Sequence, residues 1–120
     1  MEPLSNLKER TKASALQIIK LTEKIPENLT GQIISKQIVR SGTSVGANYR
    51  AACRAKSNAD FINKLKMVEE ECDETMYWLE ILNDSQLMHK TLLDPIQKEA
   101  NELLAICVAS IKTVKHRLLQ

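Results

Sequence analysis

Phe61, Leu65, Val68, Cys72, Thr75, Leu79 and Leu82 follow one another at spacings of four, three, four, three, four and three residues. Side chains alternate across a strand, so no strand can carry that set on one face, whereas a helix gathers it into a single seam. A seam sustained for about three heptads needs an apolar partner of similar length, and helix-on-helix packing at a shallow angle supplies one. The chain has only three glycines and three prolines in 120 residues, too few turn residues for an all-β sandwich or barrel. At this length one core and one domain spanning residues 1–120 are expected.

Three further amphipathic stretches accompany the seam. Leu4, Leu7, Ala15, Ile18, Leu21 and Ile25 predict a first helix over 4–25, with Ser5 as an early cap and Pro26 as its stop. A second helix starts near Thr30 and carries Ile34, Ile38, Val45 and Ala52 inward. Gly42 and Gly46 weaken it by roughly 1 kcal/mol each relative to Ala, yet the apolar face stays in phase across both, so one continuous helix is expected, with a kink between Ser41 and Gly46 as the alternative. The third helix opens at Ser57, with Asp60 three residues on in the manner of a capping box, and runs to about Asp84. After a polar loop around Asn83–Lys90, Asp94 and Pro95 suit the start of a fourth helix, there or a few residues earlier. Its stripe is Ile96, Ala100, Leu103, Cys107, Ile111, Val114 and Leu118, and Lys112, Lys115, His116 and Arg117 suit the negative pole of its dipole. The expected fold is all-α, an antiparallel up-down-up-down four-helix bundle.

No apolar run approaches the roughly 20 residues needed to cross a bilayer, and the N-terminus has no apolar signal core, so a cytoplasmic protein without a membrane partner is expected. Cys53, Cys72 and Cys107 are odd in number and widely spaced, which argues against a disulfide framework or zinc site and predicts three reduced, mostly buried thiols. Neither His89 nor His116 follows a Glu by three residues, as a di-iron bundle would require. Glu69, Glu70, Glu71, Asp73 and Glu74 point in successive directions around a helix and cannot share one site. Phosphate loops, nucleophile elbows and HExxH motifs are missing from the sequence. No enzyme activity, metal, cofactor or small-molecule substrate is expected.

The net charge of +2 hides two poles. Lys36 to Lys66 holds seven Lys and Arg against Asp60 alone, and Glu69 to Asp84 holds seven acids and no base. Lys36, Arg40, Arg50 and Arg54 fall on one side of the second helix, opposite its apolar face, as a ridge roughly 27 Å long. Charge alone favours a solvated face paired in part with the acids of the third helix. The alternative is a salt-sensitive contact with nucleic-acid phosphates, without base stacking because the chain's aromatics, Tyr49, Phe61, Tyr77 and Trp78, do not interleave with the ridge. Met67, Trp78 and Ile81 share a side of the third helix away from its seam. They are expected to form an oligomer interface, the alternative being a wider intramolecular core.

The segment from Ile38 to Leu82 carries Arg40-Ser41, Ser44-Val45, Asn48, Arg50-Ala51-Ala52, Ser57, Asp60-Phe61, Lys64-Leu65 and a Glu74…Trp78-Leu79 run. In these elements it resembles the bacterial four-helix-bundle family of the 23S ribosomal RNA intervening-sequence protein. The resemblance implies a homo-oligomer, usually a pentamer of bundles. It extends to the accessory variability determinant of diversity-generating retroelements, a basic pentamer that binds nucleic acid and a reverse transcriptase, whereas the present chain is nearly neutral. Asn48, at the margin of the apolar face, is expected to serve as a structural amide. The resulting expectation is a non-catalytic oligomer that contacts RNA or a nucleoprotein through Lys36, Arg40, Arg50 and Arg54. The alternative is a protein-binding adaptor that uses the acidic and apolar faces of the third helix and has no nucleic-acid role.

Overall fold

The structure, a computed structural model, describes residues 6–119. It contains four helices, α1 (Leu7–Thr22), α2 (Leu29–Ala52), α3 (Asn58–Asp84) and α4 (Lys90–Leu118). Each packs on its chain neighbour, α2 against α3 most extensively, and α1 meets α4 to close an up-down-up-down bundle measuring 52 × 22 × 21 Å.

α2 is continuous, and its glycines explain why. A methyl group on Gly42 would lie 2.5 Å from Ile18 Cδ1, and one on Gly46 would lie 3.2 Å from Thr11 Oγ1. Both glycines therefore let α1 approach closely, a gain in packing that offsets their weak helix propensity. The capping at the α2–α3 turn is reciprocal but shifted by one residue. Ser57 Oγ accepts from the Asp60 amide at 3.1 Å, while Asp60 Oδ2 accepts from the Lys56 amide at 3.0 Å, not from the cap residue's own amide as in a standard box.

α3 buries Leu65, Val68, Cys72, Thr75, Leu79 and Leu82 as its spacing predicts, with Ile62 at the first position and Phe61 only half-buried. The remaining departures lie at helix ends. Leu4 and Ser5 fall outside the described residues. α1 ends at Thr22, and Ile25 is buried from the turn that follows. α4 starts at Lys90 with His89 Nδ1 accepting from the Thr91 amide, so Asp94 is not its cap and Pro95 lies inside the second turn. The Thr91 carbonyl, left without its usual donor by that proline, belongs to an exposed residue open to water. Leu118, expected in the core stripe, is 54% exposed because it lies in the terminal turn of α4. Cys72 and Cys107 are buried, whereas Cys53 is exposed at the end of α2, contrary to the expectation of three mostly buried thiols.

The core divides lengthwise. One cluster joins Leu7, Tyr49, Ala52, Ile62, Leu65 and Ile111, which come from the start of α1, the end of α2, the start of α3 and the end of α4. The other joins Ile18, Ile25, Ile34, Leu82, Met88 and Leu93 at the opposite end. Between them Thr75 Oγ1 lies 2.9 Å from Ser41 Oγ and 2.8 Å from the Glu71 carbonyl, a buried polar link between α2 and α3.

Candidate nucleic-acid interface

α2 contains no acid. It turns Gly42 and Gly46 to α1 and Ser41 to α3, so the cations opposite Ile38 and Val45 face solvent. Lys36, Arg40, Arg50 and Arg54 are all exposed, as is Ala47 between them. They are not equivalent. Contrary to the expected four-residue helical ridge, Arg54 is not on the helix, because α2 ends at Ala52 and the chain turns there toward the Ser57 cap of α3. Arg40 leans toward α3, where its guanidinium binds Glu71 Oε1 at 3.3 Å and also Glu74. Glu74 in turn accepts from Trp78 Nε1 at 3.1 Å. The Arg40 hydrogen bond, with a contribution from the indole, holds the Glu74 carboxyl below the usual carboxylate range. Arg40 is thus the part of the ridge paired with helix-three acids, while Lys36, Arg50 and Arg54 form no ion pair among the described residues.

Trp78 and Ile81 are half-buried against the core cluster of Ile34, Leu79 and Leu82, and Met67 is 49% exposed. The structure thus leaves one member of that stripe mainly in water and tucks two against their own bundle. Tyr77, edge-on to Trp78 at 5.1 Å and 71°, is 53% exposed beside them. Asn48 is half-exposed.

The charges gather in a way the linear sequence conceals. Antiparallel packing brings the start of α1, the end of α2, the start of α3 and the end of α4 to one end of the bundle. Residues 6–12, 49–66 and 109–119 meet there with eleven Lys and Arg and two acids, Glu9 and Asp60. The lysines near the end of α4 read in sequence only as complements to a helix dipole. The signal that could have found their wider role is the acid-free run from Leu103 onward.

Among the described residues no group of three or more His, Cys, Asp or Glu side chains could hold a metal ion, and no helix is long and apolar enough to cross a membrane. The surface depressions are shallow; one lies between α1 and α4 and is lined by Lys20, Leu21, Lys24 and Ile96.

A family model described as 23S rRNA-intervening sequence protein matches residues 5–109. The chain belongs to the 23S rRNA-intervening sequence protein family. A crystal structure of an S23 ribosomal protein family member of unknown function, from Bacteroides thetaiotaomicron, is similar throughout, with 35% identity and a TM-score of 0.85 over 92% of this chain and 99% of that one. Among curated proteins no relative matches. In this family member the matched region takes in all of α1, α2 and α3, and it ends at Ala109, just before the basic last turns of α4.

Proposed function

We propose that the chain is a non-catalytic scaffold that assembles as a homo-oligomer and contacts RNA phosphates through Lys36, Arg50 and Arg54. The observation that carries this reading is the stripe itself, with Lys36 and Arg50 exposed on an acid-free helix, Arg54 exposed in the turn just beyond its end, and no acidic partner for any of them among the described residues. Cations left unpaired on one face remain available for phosphates, and their release of counterions makes the contact salt-sensitive. Arg40 joins them only by giving up Glu71 and Glu74. The family's description names an intervening sequence of 23S rRNA but no binding activity, so RNA as the polyanion rests on the exposed cations. Exposed Met67 and Tyr77 beside half-buried Trp78 and Ile81 support self-association on the outer face of α3, and the family resemblance supports a pentamer.

Gel-shift titration of a structured RNA at 50 and 200 mM salt tests the RNA half. A shift at low salt that weakens at high salt, and that is lost on Lys36→Glu with Arg50→Glu and Arg54→Glu, is expected. No shift at low salt, or one indifferent to those substitutions, would overturn it. The exposed Tyr77 favours a second reading, an adaptor whose acidic α3 binds a basic protein. That reading predicts loss of a co-purifying partner on Glu74→Lys or Trp78→Ala with the oligomer retained.

A further inference from the structure

We infer that the RNA-contacting surface is the end of the bundle where α2 and α4 finish, so that Lys112, Lys115 and Arg117 bind phosphates together with Arg50, Arg54 and Lys56. The inference rests on the RNA reading above and deepens it, joining Arg50 and Arg54 of that stripe to the cations at the end of α4. These six side chains are exposed and form no ion pair among the described residues. Acids are scarce around them. Asp60 is held by Lys64 and the Lys56 amide, which leaves Glu9 as the only other carboxylate on residues 6–12, 49–66 and 109–119. Arg10 on α1 is bound by Glu99 and Glu102 of α4 and so adds little to this surface. Residues 20–36 and 76–98 lie at the opposite end and carry five Lys and Arg against five acids, so the positive charge is concentrated at one tip. A potential summed over several elements steers and holds a polyanion better than any single row of charges. Phe61, the aromatic nearest that tip, is half-buried and Tyr49 is buried. The site therefore lacks stacking platforms and recognises phosphate backbone, with little preference among base sequences.

The test uses full-length protein and a 30-nucleotide RNA hairpin as probe, with affinity measured from 50 to 300 mM salt. Lys112→Gln with Lys115→Gln and Arg117→Gln removes three charges at the tip, and Lys20→Gln with Lys24→Gln and Lys90→Gln removes three at the other end. Glutamine keeps the helices intact, which circular dichroism verifies. The tip variant is expected to weaken binding about tenfold and to lower the slope of log affinity against log salt by about two, while the opposite-end variant changes affinity less than about threefold. Equal losses in both variants, or no loss at the tip, would overturn the end-on site. The RNA reading would still stand if Arg50→Gln with Arg54→Gln abolished binding. Failure of the unaltered protein to bind the hairpin at 50 mM salt would overturn both.

Discussion

Gly31 has the least room of any glycine in the bundle. A methyl group there would sit 1.9 Å from the Pro26 carbonyl oxygen, which is backbone and cannot rotate aside. At Gly46 the nearest atom is a threonine hydroxyl at 3.2 Å. Gly31→Ala is therefore expected to destabilise the fold by about 2 kcal/mol or more and Gly46→Ala by about 1 kcal/mol, a difference that urea denaturation midpoints will resolve. The cysteines make a second residue-level test. Burial pushes the Cys72 thiol up to about 12 and the Cys107 thiol up to about 11, so an alkylating reagent at pH 8 should modify Cys53 alone in the folded protein. Because both folded values lie above the ordinary thiol value, the unfolded chain gives up these protons first. The associated stability is full below about pH 9 and declines as pH rises toward 11 to 12, as thermal melts across that range would report.

At the scale of the element, two helix ends carry measurable weight. α3 stops with Gln86 at φ 63°, the lone residue with positive φ among the described residues, while its amide bonds to the Asn83 carbonyl and Met88 returns to the Leu82 carbonyl. Glycine adopts that conformation without strain. Gln86→Gly should stabilise by up to about 1 kcal/mol, whereas Ser57→Ala should cost about 1 kcal/mol by removing the cap on the Asp60 amide, both read from thermal unfolding. The helices were legible in the sequence because apolar spacing is a local property, and the α3 seam shifted at one position only. The start of α4 was less legible. Asp94-Pro95 is a strong signal for a first turn, but His89 caps five residues earlier, where Leu93 can be buried against the first three helices.

For the whole molecule, the fold class followed from periodicity, whereas the candidate site did so only in part. Lys36 and Arg50 lie on one helix and share a face by spacing alone, while Arg54 falls in the turn just past Ala52. That Arg40 turns to Glu71 and Glu74, 31 and 34 residues away, and that the last turns of α4 join the end of α2, some sixty residues away, depends on antiparallel packing that no local pattern encodes. The assembly makes its own prediction. If the outer face of α3 is covered by another copy, Trp78→Ala combined with Met67→Lys should lower the mass found by light scattering to that of one chain, 13.6 kDa, with helicity retained.

The Ser41–Thr75 hydroxyl pair sits between two greasy halves that share few large side chains. A rod joined at such a waist can fray at one tip while the other stays shut, since cooperative units follow the apolar clusters. Amide-proton exchange should then sort the backbone into two populations, and a polyanion seated on the cationic tip would slow only its own half.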